Sequence, residues 1–330
     1  MPNQVTVYGA YGHTGRFIVR ELLKRGWTPV LAGRDAAKLA GLEAQFPGLP
    51  IRIASTDDPT ALDRALAGAA AIINCAGPFA VTAPPLVEAA LRARIPYLDV
   101  AAEIEANIDT LANYADRAQE AGIIVLPAMA FFGGLGDLLA TAAVGDWPTV
   151  DEISIAYGLS SWQPTAGTRA AGQVSRQRRN GRRITFASGR REYRDDQAEA
   201  GEWEFPLPLG RQSVATDFTM ADAATISHHV PVARFNSYMT MAAVNDLIDP
   251  DTHPPAAADD SGRDIYAVTA PLVVEALERI LGGSLPESGA FTAGALFDAS
   301  DFLTSLSRDH LLLAWPQEAR CTPATNQATC

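Results

Sequence analysis

The sequence predicts an α/β protein with two parts. An N-terminal doubly wound parallel sheet of the Rossmann type is followed by a second α+β domain with a mostly antiparallel sheet. Three observations carry this. Short β-branched runs alternate with helix-length amphipathic segments from residue 4 to residue 127, which is the pattern of βαβ units. A glycine-rich turn, Gly9-Ala10-Tyr11-Gly12-His13-Thr14-Gly15, follows the first run and opens the first helix. After Pro127 the texture changes to alternating stretches rich in Pro, Thr and β-branched residues, as in antiparallel strands.

The elements follow in order. Residues 4–8 read as a strand, and 13–25 as a helix with Phe17, Ile18, Leu22 and Leu23 at helical spacing and Gly26 as its stop. Strands are expected at 28–33, 52–55, 70–77, 96–101 and 122–127. Helices are expected at 35–46, 59–67, 84–94 and 104–121, the third with proline near its start, where the missing N–H costs nothing. Six strands thus complete a domain over 1–128. Residues 129–330 are left for a substrate and dimerisation domain, whose last helix can pack back on the first. Within it, 150–160 alternates as a half-buried strand. Residues 176–194 hold eight arginines around an Asn180-Gly181 hairpin signal. Residues 203–232 read as sheet, 250–262 as a polar Pro-rich loop, 265–281 as an amphipathic helix, and the stretch beyond Pro316 as a polar tail.

Composition narrows the function. The chain has 330 residues, is 48% apolar and 19% charged, and carries a net charge of −12. A nucleic-acid binder is ordinarily basic, so that class is set aside. Only Lys24 and Lys38 are lysines among the 26 basic residues. The three cysteines, Cys75, Cys321 and Cys330, form no CxxC pair, which argues against a disulfide framework and a metal site. The apolar uncharged stretch 121–136 is short for a bilayer span and is interrupted by Pro127 and Gly133-Gly134. The N-terminus has no basic segment ahead of an apolar one. No integral span is expected, and the expected compartment is the cytoplasm.

The glycine turn is the first candidate site. Gly9 permits the tight turn, Gly12 lets the backbone approach a pyrophosphate, and Gly15 lets the helix pack close to the sheet. Tyr11, His13 and Thr14 share the turn, and the helix N-terminus faces the phosphates. The second strand ends Gly33-Arg34-Asp35, with Lys38 one helical turn on. An acidic residue at the strand tip serves the ribose 2′-hydroxyl of NAD, whereas a guanidinium suits the 2′-phosphate of NADP. Arg34 and Lys38 point to NADP; Asp35 serves the ribose instead if the register is one residue off. The fourth strand ends Asn74-Cys75-Ala76-Gly77-Pro78, at the carboxyl edge where the ribose and nicotinamide lie. Cys75 reads as a packed small hydrophobe, since no positive neighbour lowers its pKa.

Hydride comes from the cofactor, so the protein must orient it and can donate a proton. No tyrosine has lysine four positions on, which removes the Tyr-x-x-x-Lys mechanism. The candidates at the cofactor edge are Tyr97, Asp99 and Glu103. Asp99 either positions or protonates the substrate, or it caps the next helix or pairs with an arginine of the second domain. His228 and His229 follow an apparent strand, so their side chains are expected on opposite faces, and a structural role is favoured. The arginines of 176–194 read as a solvated face, with attraction of an anionic substrate as the alternative.

Together, GAYGHTG, LAGRD with Lys38, IINCAGPF, Tyr97-Leu98-Asp99 with Glu103, Gly167-Thr168-Arg169, NGRR at 180–183 and FPLPLGRQ at 205–212 resemble the saccharopine dehydrogenase-like family. The resemblance implies an NADP-binding Rossmann domain, a second domain carrying the substrate side, and often a homodimer. Some relatives reduce a C=N bond, as in saccharopine formation; others are trans-acting enoyl reductases for lipids. The chain departs from the family pattern at Ala102, where glycine is usual, and in AMAFFGGLGDLLA at 128–140, where a Phe-Asp-Ser-x-Pro type is usual. The expectation is an NADPH-dependent reductase of a C=N or C=C bond in a small or acyl-carrier-bound metabolite. Its rivals are a non-catalytic NADP(H) sensor that couples to a protein partner, and a dehydrogenase of alcohols or aldehydes.

Overall fold

The structure, a computed structural model, describes residues 3–187, 190–196, 198–255, 265–283, 285 and 287–315. Cys321, Cys330, the tail beyond Pro316 and most of the 250–262 loop lie outside the described residues. In chain order the first domain comprises β1 (Gln4–Tyr8), α1 (His13–Lys24), β2 (Thr28–Gly33), α2 (Ala36–Ala40), β3 (Ile51–Ile53), α3 (Pro59–Leu66), β4 (Ala71–Asn74), α4 (Phe79–Ala93), β5 (Tyr97–Asp99), α5 (Ile104–Ala121) and β6 (Ile124–Leu126). There follow α6 (Gly136–Val144), β7 (Val150–Tyr157), α7 (Ala166–Arg178), β8 (Arg183–Ala187), β9 (Arg190–Arg194), β10 (Ala200–Glu204), β11 (Arg211–Thr216), α8 (Ala221–His229), β12 (Val232–Thr240) and α9 (Met241–Ile248). The last described elements are α10 (Ile265–Leu281), β13 (Gly289–Ala290), α11 (Ala293–Leu296) and α12 (Ala299–Ser307).

The first sheet is parallel, in the order β3-β2-β1-β4-β5-β6-β13. Strand alternation divides its side chains between two cores. Val5, Val7 and Ile73 pack with Ile18 and Leu22 of α1, Leu272, Val273 and Leu277 of α10 and Phe302 of α12. Tyr8, Ile72 and Tyr97 pack with Leu62, Leu86 and Leu111 from α3, α4 and α5. The order reverses between β1 and β4, which is the topological switch point. There the register sets Tyr8, Asn74 and Asp99 abreast at the strand tips.

The second sheet runs β10-β11-β12-β8-β9, antiparallel throughout, with β7 added parallel to β12. Its buried face, Ile153, Ile184, Phe186 and Phe235, rests on Ala223 and Ile226 of α8.

Several sequence expectations are revised. The sheet has a seventh strand, β13, drawn from 289–290; two residues of Gly-Ala carry no periodic signal. The helix expected at 35–46 is helical only to Ala40 and then continues as turns. The helix expected from 84 starts at Phe79 and holds Pro84 and Pro85 in its interior. Its start is set by a distant carboxylate, since Glu103 accepts from the Phe79 and Ala80 N–H groups at 2.6 and 3.2 Å. Asn180-Gly181 is a helix stop, not a hairpin turn. Both residues have positive φ, 54° and 78°, and the Gly181 N–H closes on the Arg176 carbonyl at 2.8 Å. A left-handed pair serves either purpose, and only the neighbouring elements decide which. The stretch 203–232 contains a helix, α8, as well as strands. His228 and His229 therefore end a helix rather than follow a strand.

Candidate functional site

The glycine turn joins β1 to α1 at the switch point. Gly9 has φ of 84°, which a side chain rarely tolerates. A Cβ there would stand 2.9 Å from the Ala76 Cβ, so the turn and the β4 tip are in contact. The Gly12 N–H donates to the Gly9 carbonyl at 2.8 Å, and Gly12 caps α1 in extended conformation. At Gly15 a Cβ would lie 2.5 Å from the Gly9 carbonyl oxygen; that glycine is the condition for helix and turn to pack. His13 and Thr14 open the helix, half-buried. The ring of Tyr11 stands over the tip of β2, where a Cβ on Gly33 would come 2.6 Å from Tyr11 Cε1. The Lys38 ammonium lies 5.7 Å from the centre of the same ring.

At the β2 tip the two candidate ribose partners separate. Asp35 caps α2, accepting from the Lys38 N–H at 3.0 Å, with the Lys38 ammonium 3.6 Å away. These contacts, the backbone one foremost, hold its carboxyl below the ordinary value. Arg34 is exposed beside it. The acid is thus engaged within its own helix start, while the cation projects. This arrangement, with the glycine cradle and the helix N-terminus, fits a 2′-phosphorylated dinucleotide.

The tip of β4 is held from below by a buried chain of polar groups. The Asn74 amide donates to Thr82 Oγ1 at 3.2 Å and to the Tyr97 hydroxyl at 3.1 Å, and its Oδ1 accepts from the Ala76 N–H at 3.0 Å. The Tyr97 hydroxyl donates to Asp99 Oδ2 at 2.9 Å. Asp99 Oδ1 accepts from the Ala101 and Ala128 N–H groups at 3.0 and 2.8 Å. Asp99 and Tyr97 are 0% exposed. Burial pushes the Asp99 carboxyl up to about 6 and the Tyr97 hydroxyl well above its ordinary value. Among the described residues Asp99 neither caps the next helix nor pairs with an arginine; it ties the end of β5 to the end of β6. Glu103, 6% exposed, sits at the start of α4, and its burial raises it to about 7 against the pull of two backbone N–H groups. Cys75 is a half-buried free thiol that burial, then the Asp99 charge, pushes upward; it has no thiolate character. Ala76, Gly77 and Pro78 complete the tip.

The second domain meets this tip. Ala171 of α7 lies with its Cβ 3.7 Å from where a Cβ on Gly77 would stand. Beside it, the Tyr266 ring of α10 packs edge-on against His13 at 5.3 Å, and its hydroxyl lies 2.7 Å from Thr168 Oγ1. An aromatic cluster of Phe131, Phe132, Tyr157 and Trp162 continues the wall, with Ala102 and Phe218 against it. Asp222, buried against the Tyr157 hydroxyl, accepts from the Gly133 N–H at 2.8 Å and is raised to about 6 by burial. His229 bonds the buried Asp137 at 2.7 Å. Its partner is thus a neighbouring helix, as a structural histidine requires, while His228 is depressed by burial.

The sequence reading reached the turn and the strand tips but missed Tyr266, Trp162, Thr165, Tyr157 and Asp222. Thr168 stood out only as part of the family resemblance. Tyr266 lies on an amphipathic helix more than 250 residues from His13 in the chain, so no local spacing connects them.

Residues 5–126 match the saccharopine dehydrogenase NADP-binding domain. The chain is 37% identical over 142 residues to a probable mitochondrial saccharopine dehydrogenase-like oxidoreductase of Arabidopsis thaliana, covering 38% of this chain and 31% of that protein. It is 25% identical over 148 residues to a human saccharopine dehydrogenase-like oxidoreductase, covering 39% and 34%. With the trans-acting enoyl reductase of Mycobacterium tuberculosis it shares 26% over 133 residues, covering 38% and 32%. These matches span about a third of each relative's length. Apo saccharopine dehydrogenase (L-Glu forming) from Saccharomyces cerevisiae shares the fold, with a TM-score of 0.51 over 92% of this chain and 77% of that one, at 15% identity. The likeness to saccharopine dehydrogenase NADP-binding domains thus spans residues 5–126, which run from β1 through β6.

Proposed function

We propose that the protein is an NADPH-dependent oxidoreductase that reduces a C=N or C=C bond of a small or carrier-bound metabolite, at the carboxyl edge of the parallel sheet beneath α7. One observation carries the enzyme reading over the sensor reading: the second domain comes down on the β4 tip, with Ala171 against Gly77 and the His13–Tyr266 ring pair beside it. A sensor has no need to cover the reactive end of its cofactor, whereas a reductase must exclude water there. When bound, NADPH supplies the hydride.

The protein's own groups divide the remaining work. The glycine turn and the α1 N-terminus hold the pyrophosphate, and Arg34 with Lys38 holds the 2′-phosphate. Asn74, Tyr97, Asp99 and Glu103 are positioning residues in this reading: their buried bonds fix the tips of β4, β5 and β6 and the start of α4. The enoyl reductase and saccharopine dehydrogenase likenesses support C=C and C=N bonds as the two substrate classes. Among the described residues no helix is long and apolar enough to cross a membrane. The family likeness further supports a homodimer, to be checked by sedimentation; a cytoplasmic location remains part of the same proposal.

The test is transfer of deuterium from C4-deuterated NADPH to two probes, a cyclic imine and an enoyl thioester of N-acetylcysteamine. Deuterium in either product supports the reading. Tight NADPH binding with no transfer to either probe favours the sensor.

A further inference from the structure

We propose that Tyr266 is a positioning residue for the cofactor: its hydroxyl fixes the start of α7, and α7 so fixed is the roof of the nicotinamide half of the site. The inference rests on the NADP-dependent reading above.

Tyr266 stands in the first turn of α10, and α10 is fastened to α1. At the far end of α1, Arg25 Nη1 donates to Glu275 and Glu278 at 2.9 and 2.8 Å, and Nε donates to Glu21 at 2.7 Å. Trp27 Nε1 adds a bond to Glu278 at 3.0 Å. At the near end the Tyr266 ring meets His13, the first residue of α1, edge to face at 5.3 Å and 88°. Tyr266 is therefore anchored to the helix whose N-terminus serves the pyrophosphate.

Its hydroxyl reaches into the second domain. Trp162 Nε1 and the Thr165 N–H donate to it at 3.2 and 3.3 Å. Thr168 Oγ1 lies 2.7 Å from the same oxygen, and either hydroxyl can donate. Thr165 is the N-cap of α7, accepting from the Thr168 N–H at 3.0 Å. One hydroxyl thus gathers the indole before α7, its cap and its first turn. One turn on, Ala171 rests over Gly77 at the β4 tip, where a Rossmann domain holds the ribose and nicotinamide. The path from pyrophosphate cradle to roof runs His13, Tyr266, Thr168, Ala171.

A plain structural tie would affect stability, and it would weaken all nucleotides alike. A roof affects only ligands that carry the nicotinamide. The experiment compares dissociation constants for NADPH and for 2′,5′-ADP, which has the adenosine half alone, together with the nicotinamide emission of bound NADPH. In Tyr266→Phe, 2′,5′-ADP affinity stays within about twofold while NADPH affinity falls about fivefold or more and the emission enhancement is lost. Thr168→Val gives the same split without touching Tyr266, and Thr168→Ser, which keeps the hydroxyl, restores the wild-type values; this pair carries the test if Tyr266→Phe does not fold. Unchanged NADPH affinity and emission in both Tyr266→Phe and Thr168→Val overturn the proposal. So does a parallel loss of both ligands. Failure of the wild-type protein to bind either nucleotide is a different result, which removes the NADP-dependent reading itself.

Discussion

The Tyr97 hydroxyl donates to Asp99 at 2.9 Å, two residues along the same strand, and both side chains are fully enclosed. Asp99 also accepts two backbone N–H groups, from Ala101 and from Ala128 across the strand gap. A carboxylate used this way is an acceptor on every side. Asp99→Asn replaces one acceptor oxygen by a donor that faces donors, so a buried N–H or hydroxyl loses its partner, at about 1–3 kcal/mol. We expect a clear fall in thermal midpoint with NADPH affinity changed by less than about threefold. A variant with the wild-type midpoint but a hundredfold slower turnover would show that Asp99 handles a proton after all.

Cofactor choice turns on Arg34, which is exposed beside an Asp35 already engaged as a helix cap. NADPH is expected to bind at least about tenfold tighter than NADH, roughly 1.4 kcal/mol. Arg34→Ala removes most of that difference and leaves NADH binding unchanged. Calorimetric titration of both nucleotides decides the matter; a wild-type preference for NADH counts against Arg34 as the phosphate partner.

Two glycines of one turn have separable roles. A Cβ on Gly15 would press to 2.5 Å on the Gly9 carbonyl, whereas one on Gly12 meets that oxygen at 3.1 Å from a backbone that accepts side chains. Gly15→Ala is therefore expected to destabilise the fold, by about 1–3 kcal/mol as overpacking does. Gly12→Val is expected to leave a folded protein that no longer binds NADPH, because its branches fill the pyrophosphate approach. Circular dichroism and nucleotide titration on the two variants separate the effects; nucleotide binding retained by folded Gly12→Val places the site elsewhere.

Burial raises Glu103 from its ordinary 4.5 to about 7 and Asp99 from 3.8 to about 6. A raised carboxyl binds its proton more tightly folded than unfolded. Its contribution is therefore fully present at acid pH, below the ordinary value, and is lost as pH rises through the folded one. Glu103→Gln cannot titrate. The change in stability between about pH 5 and about pH 8 should shift accordingly, with the variant losing less on going up in pH than the wild type. Equal pH profiles in urea denaturation would rule out a raised Glu103.

How much was legible in the sequence follows from the range of each interaction. The parallel sheet, the glycine turn and the exposed cation at the end of β2 were readable because each is local. Period-2 and period-3.6 patterns, a Gly9-Gly12-Gly15 spacing and an Arg34 at a strand end lie within a few residues of one another. What the sequence left open was settled by contacts between distant segments. Glu103 sets where α4 begins, twenty-four residues back. Asn180-Gly181 ends a helix because α7, not a strand, runs into it. A Gly-Ala pair at 289–290 becomes a strand only because β6 offers its edge. Asp99 read as a substrate-handling group, a helix cap or an arginine partner, whereas its bond goes to the Ala128 N–H beyond the end of β6, twenty-nine residues away. Tyr266 and His13 meet because α10 docks on α1. Local patterning selects elements and motifs. The burial of a charge, the end of a helix and the meeting of two domains are decided by which surfaces pack, and those surfaces are assembled only when the chain has folded.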